Sequence, residues 1–249
     1  MRIVGITGGI GHGKTTFGAD LAAQATSAKH FESSDVIIEV ANAWRATWGS
    51  LPPSSEIDDV NAWLQTLPDA ITQITHVKTD AESLELTPER LADRPEYYAK
   101  LFQYLDELRA EPDLQTGVID TGDKQAHRAL LQWLGGYLAK VIDEGLWFDE
   151  LIRRIRQLSG IELVTVGGVR FPADADRIRA AGGIVVEVQR PAVGQTDIQD
   201  VTERERQNVK ADVLIINDSD LEPLKRAAAH FYDDLIAGGL QPRYTASEA

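Results

Sequence analysis

The sequence predicts an α/β fold, a five-stranded parallel sheet flanked by helices, and three observations predict it. Short apolar runs with little alternation read as strands covered on both faces. These runs alternate with segments of helical apolar spacing, which is the order of a parallel sheet. The first strand meets the first helix through a glycine-rich turn, Gly8-Gly9-Ile10-Gly11-His12-Gly13.

The elements follow in order. Arg2 to Thr7 (RIVGIT) is a short strand rich in β-branched residues, and Lys14 to Ala28 carries helical spacing through Phe17, Leu21 and Ala25. His30-Phe31-Glu32 reads as the stub of a second strand over 29–32. Ser33-Ser34-Asp35 can cap a helix reaching about Trp48, with Val36, Ile37, Val40 and Trp44 on one face. Residues 50–123 read as an acidic helical insertion without strand or repeat signals, and Pro95 to Leu108 is its clearest helix. Lys124 to Ile142 and Leu146 to Leu158 predict two more helices. Ile161 to Val166 is the third strand, and a helix runs from Pro172 to Ala181. Gly183 to Val188 and 212–216 are the fourth and fifth strands, and Leu221 to Leu235 is the last helix. The chain reads as one domain over 1–249, with the insertion at 50–123 and a polar, basic segment at 190–210 placed as a lid.

The turn fits G-x-x-x-x-G-K-[ST] at every fixed position from Gly8 to Thr15. The fold that this motif implies is that of the P-loop NTPases. Gly8, Gly9, Gly11 and Gly13 let the backbone take positive φ and aim its N–H groups at phosphates without Cβ clashes. The helix from Lys14 points its positive end at the same anion. Lys14 would reach the β- and γ-phosphates, and the Thr15 hydroxyl would ligate Mg²⁺. Thr16 would add a hydrogen bond to the α-phosphate. His12 fills a variable position, as a spectator or a phosphate neighbour. ATP with Mg²⁺ is the expected ligand pair.

A net charge of −14 favours small-molecule nucleotides over a polynucleotide, because duplex-binding proteins present a basic face. No apolar run approaches the roughly 20 residues that cross a bilayer, so no membrane partner is expected. Met1 and the residues after it lack signal-peptide character. The chain has no cysteine, which excludes disulfides and thiolate metal sites and fits a cytoplasmic location.

Strand ends supply the other candidates, since ligands gather at the carboxyl edge of such sheets. Arg170 follows the third strand and suits an acceptor phosphate or a transferring phosphoryl group. A surface arginine at a helix start is the alternative. Asp35 suits an N-cap as well as it suits orienting an acceptor or touching Mg²⁺. Arg190 directly follows the fourth strand. Arg204, Arg206 and Lys210 extend the basic segment, although Glu203 and Glu205 alternate with the arginines as on a solvated helix. Asn217-Asp218-Ser219 reads as a turn plus a helix cap, the alternative being a loop that passes the adenine base, as in P-loop kinases.

Several stretches together resemble the deoxynucleoside monophosphate kinases of tailed bacteriophages, in the nucleoside monophosphate kinase and dephospho-CoA kinase branch of P-loop proteins. They are TGGIGHGKTT (7–16), HRALLQWLG (127–135) with Trp147, VRFPADADRIR (169–179), GGIVVEVQRP (182–191), DVTE (200–203) and IINDSDLEPL (215–224). The likeness leaves out residues 49–123. It implies transfer of the γ-phosphoryl group of ATP to a deoxynucleoside 5′-monophosphate, with dTMP or a modified pyrimidine nucleotide as the first choice. It implies the host cytoplasm if the chain is phage-encoded, and it leaves a homodimer open. Lys14, Arg170, Arg190 and Asp35 would form the catalytic group. Arg170 would hold the acceptor phosphate, Arg128, Gln132 and Trp147 would line the monophosphate site, and Arg190 would belong to the lid. One departure stands out. The family tends to end its third strand on an acidic residue in a D-x-R-F-like pattern, where this chain has Gly167, Gly168 and Val169. The Mg²⁺ carboxylate would then come from elsewhere, from Asp35 or Asp174, or act through water. The rival readings are a kinase acting on a modified base in DNA, a nucleotide-dependent binding protein or switch, and a dephospho-CoA kinase.

Overall fold

The computed structural model describes every residue except 121, 194–200 and 249, and the backbone alone at 201–203. In chain order the elements are β1 (Arg2–Thr7), α1 (Lys14–Gln24), β2 (Ala28–Glu32), α2 (Asp35–Arg45), α3 (Ile57–Leu64), α4 (Leu67–Thr75), α5 (Ala81–Leu84), α6 (Pro88–Asp93) and α7 (Pro95–Ala110). There follow α8 (Arg128–Trp133), a π turn over Leu134–Leu138, α9 (Ala139–Val141), α10 (Leu146–Arg156), β3 (Leu163–Gly167), α11 (Pro172–Ala180), β4 (Ile184–Gln189), α12 (Val201–Arg206), β5 (Val213–Ile216), α13 (Leu221–Ala237) and β6 (Arg243–Thr245). The chain divides into two compact units, a sheet unit of Met1–Ser33 with Leu151–Ala249 and a helical unit of Ser34–Glu150.

The sheet unit carries six parallel strands in the order β2-β3-β1-β4-β5-β6. The sixth exceeds the five strands expected. Three residues hold no readable period, and β6 forms because the β5 edge offers it a ladder, with Ile215 opposite Tyr244. The first helix ends at Gln24, short of Ala28, because Ala28 already pairs with Leu163 across the β2–β3 ladder. Glu162 braces the turn before it: the Thr26 N–H donates to the Glu162 carboxylate at 3.1 Å, and the Glu162 N–H donates to the Ser27 carbonyl at 2.9 Å.

One face of the sheet is covered by α1 and α13. Val4 and Ile6 of β1 pack with Val186, Val188 and Ile215 against Phe17, Leu21, Leu224 and Phe231. Phe17 and Phe231 meet edge to face at 5.8 Å. On the other face α11 lies directly on β1. A Cβ on Gly5 would stand 2.4 Å from Ile178 Cδ1, so glycine there sets how closely helix and strand approach. With both faces covered, the inner strands β1, β3 and β4 carry apolar residues nearly in succession, as the sequence pattern implied, whereas the edge strand β2 (AKHFE) exposes Lys29 and His30.

The helical unit is built on aromatic residues. Trp44, fully buried, lies 4.5 Å from Trp63, 5.1 Å from Trp48 and 6.3 Å from Trp133 between ring centroids. Asn42 clamps residue 119 through both amide atoms, and Asn61 does the same for Leu86. Arg45 is a buried cation that donates to the carbonyls of Leu114 and Thr116, to Tyr104 Oη and to His127 Nδ1. The helix expected over 124–142 is interrupted by the π turn. Gly135 and Gly136 sit in it, and a Cβ on Gly136 would come within 2.3 Å of the Tyr97 ring. Among the described residues no strand occurs between 50 and 123, in line with the pattern there.

Candidate functional site

The loop between β1 and α1 has the backbone its glycines predict. Gly8, Gly11 and Gly13 have φ of +144°, +78° and +96°. A Cβ on Gly8 would stand 2.3 Å from the Val188 carbonyl oxygen, so the chain leaves β1 pressed against the backbone of β4. Gly9 is different: it has no positive φ, and the His12 ring covers it, 2.7 Å from where a Cβ would be.

Gly13 caps α1 without any side-chain acceptor, and the first turn of α1 holds no acidic residue. The positive end of an eleven-residue helix therefore meets no negative side chain from its own first turn. The Lys14 ammonium curls back and donates to the Gly9 carbonyl at 2.7 Å. Thr15 is exposed and Thr16 half-buried in the first turn. A lysine and two hydroxyls thus stand in the loop and the first turn of α1, beside glycines of positive φ, and these are residue types that suit an anion.

The loop is held from behind. Asn217, buried at the end of β5, donates through Nδ2 to the His12 carbonyl at 3.0 Å, and its main-chain N–H donates to the Gln189 carbonyl at 2.7 Å. The same amide nitrogen lies 2.7 Å from the place of a Gly13 Cβ. Asp218 accepts from the Ser247 N–H and hydroxyl at 3.0 and 2.7 Å, and these bonds hold its carboxyl below the usual range. The sequence marks 217–219 as a turn and cap or as a loop passing an adenine base, not as a clamp on the first loop. Nothing near Asn217 names a partner 205 residues away.

The other sequence candidates divide between the two units. Arg170, half-buried between β3 and α11, and Arg190, exposed after β4, belong to the sheet unit with the loop. Asp35 opens α2 in the helical unit, with Ser34 as its N-cap residue and no side-chain cap bond. Arg128, exposed, and Gln132, half-buried, lie on α8 of that unit. Trp147 is buried there and its indole N–H donates to the Gly135 carbonyl at 3.1 Å. Asp174 is buried at the start of α11, where it accepts from the Phe171 N–H at 3.3 Å and caps the helix. Of the expected lid, 194–200 lies outside the described residues. Arg204 and Lys210 are exposed, and Arg206 pairs with Glu187 at 3.7 Å.

Among the described residues no group of three or more His, Cys, Asp or Glu stands together as a metal cage. A cation at this edge would take most of its ligands from phosphates and water, the habit of Mg²⁺. Among those residues no helix is long and apolar enough to cross a membrane. Comparison of the chain with protein-family models and with curated proteins returns no match.

Proposed function

We propose that this chain is a P-loop kinase that binds Mg·ATP at residues 8–16 and transfers the γ-phosphoryl group to a deoxynucleoside 5′-monophosphate. The observation that carries the donor half is the loop: three glycines at positive φ, an α1 start free of acidic side chains, and Lys14 lying across it. The acceptor half follows the resemblance of 127–135, 169–179 and 182–191 to the phage enzymes, and it places the work in the cytoplasm.

The attacking group in such a transfer is a phosphate oxygen of the acceptor, already anionic, so no strong base is required. Catalysis is then positioning and charge stabilisation. The loop amides and Lys14 hold the β- and γ-phosphates. Arg170 steadies the acceptor phosphate from the carboxyl end of β3, and Arg190 adds positive charge from the end of β4. Asp35, Arg128, Gln132 and Trp147 of the helical unit are the residues assigned to recognising the acceptor nucleotide. The Thr15 hydroxyl would hold Mg²⁺ beside the phosphates, where the ion would offset part of the triphosphate charge. Incubation with ATP and each deoxynucleoside monophosphate in turn tests the reading by diphosphate formation. No diphosphate from any of them would sink it.

A further inference from the structure

Strand β3 ends on two glycines, at the edge where the phosphate loop leaves the neighbouring strand β1. Glu32, the last residue of β2, is in register with Gly167. A Cβ built on Gly167 would lie 2.5 Å from Glu32 Oε1 and 2.9 Å from Oε2, so the Glu32 carboxyl group fills the space that a side chain at 167 would take. A Cβ on Gly168 would lie 3.3 Å from Oε2. The carboxylate absent from the chain at the end of β3 is therefore present in space, delivered by the next strand. Glutamate, with one methylene more than aspartate, has the reach for this.

The carboxylate is also aimed. His30 Nε2 lies 3.0 Å from Glu32 Oε1, and His30 Nδ1 lies 2.8 Å from the fully buried Thr165 hydroxyl. Thr165 donating to Nδ1 and Nε2–H donating to Glu32 satisfies all three groups and sets the ring's tautomer. The turn that follows is fastened to β3: Ser33 donates through its N–H to the Gly167 carbonyl at 3.0 Å and through its hydroxyl to the Gly168 carbonyl at 2.8 Å. Of two other carboxylates near these strand ends, Asp174 accepts from the Phe171 N–H as a helix cap and Glu187 pairs with Arg206.

We propose that Glu32, oriented by His30 and Thr165, is the carboxylate that fixes a divalent cation, directly or through one of its waters, when a nucleoside triphosphate occupies the phosphate loop. This rests on the donor half of the proposed function and is independent of the acceptor. Mg²⁺ bound with a nucleotide takes one or two protein carboxylates beside the phosphates, and the all-oxygen set of Thr15 and Glu32 matches that preference.

The test is calorimetric titration of ATP into the full chain, with Mg²⁺ and with chelator, for the parent protein, Glu32→Gln and Glu32→Asp. In the parent, Mg²⁺ strengthens ATP binding. In Glu32→Gln that gain falls by about ten- to a hundredfold while metal-free affinity holds, and Glu32→Asp falls between them. Mn²⁺ bound with ADP, read by electron spin resonance, weakens in the same order. A Glu32→Gln protein that keeps the full Mg²⁺ gain overturns the assignment. If the gain is lost as expected but no monophosphate is phosphorylated, the acceptor reading fails and Glu32 stands. If the parent binds no Mg·ATP, both fail.

Discussion

The Asn217 side-chain amide donates to the His12 carbonyl at 3.0 Å and so ties the turn after β5 to the loop after β1. The turn is itself tied down, through Asp218 to Ser247 and through the β5–β6 ladder. A loop in three left-handed conformations needs such support, because nothing in its own sequence beyond glycine favours that geometry over others. The turn after β5 thus stiffens the first loop, although they share no sequence neighbourhood.

Asn217→Ala removes the bond to His12 and leaves that carbonyl without this donor. A net loss of about 1 kcal/mol is expected, which lowers ATP affinity about fivefold. Amides of residues 11–14 should exchange faster with deuterium even without nucleotide, since the clamp acts on the empty loop. Unchanged exchange there would count against the clamp whatever the ligand proves to be.

Alanine at successive loop glycines should give a graded series. Gly8→Ala meets the backbone of Val188 at 2.3 Å at a positive φ, and neither can give way, so a loss above about 2 kcal/mol is expected. Gly11→Ala has the φ penalty with space around it, Val193 Cγ1 being 3.7 Å off, and should cost about 1–2 kcal/mol. Gly9→Ala meets the His12 ring first, a side chain rather than backbone, without a positive φ, and should cost less than Gly8→Ala. Urea denaturation of the three variants ranks them, and a reversed order would contradict the loop geometry.

Lys14→Met keeps the methylene stem and removes the charge. Phosphoryl transfer should fall by at least about 100-fold, with stability within about 1 kcal/mol of the parent. Steady-state turnover alongside a denaturation curve reads both. Activity that survives would mean the donor binds elsewhere.

His127 makes the helical unit sensitive to acid. Burial, with the Arg45 guanidinium beside it, pushes the imidazole down to about 4 from an ordinary 6.5. Its Nδ1 lies 2.9 Å from both Arg45 Nη1 and Tyr104 Oη, so the folded protein holds the ring neutral as an acceptor. Above pH 6.5 neither state takes the proton, and this group contributes no slope. From 6.5 down to about 4 the unfolded chain binds more protons, and stability falls as pH falls. The total is on the order of 3 kcal/mol. Denaturation between these limits should show a shallower slope for His127→Asn than for the parent, and equal slopes would refute the assignment.

Local chemistry wrote the glycine-rich loop and the apolar strands of the sheet centre into the sequence. A positive φ asks for glycine at that very residue, and a strand covered on both faces asks for an uninterrupted apolar run, so Gly8, Gly11, Gly13, RIVGIT and IELVTV could be read in place. The π turn at Leu134–Leu138, the three-residue β6, the Asn217 clamp and the Glu32 carboxylate over Gly167 could not be read that way. Each depends on which segments meet. The His30–Thr165 bond spans 135 residues and the Asn217–His12 bond spans 205. No local period encodes such a pairing, which exists only once the order β2-β3-β1-β4-β5-β6 has brought those strand ends side by side.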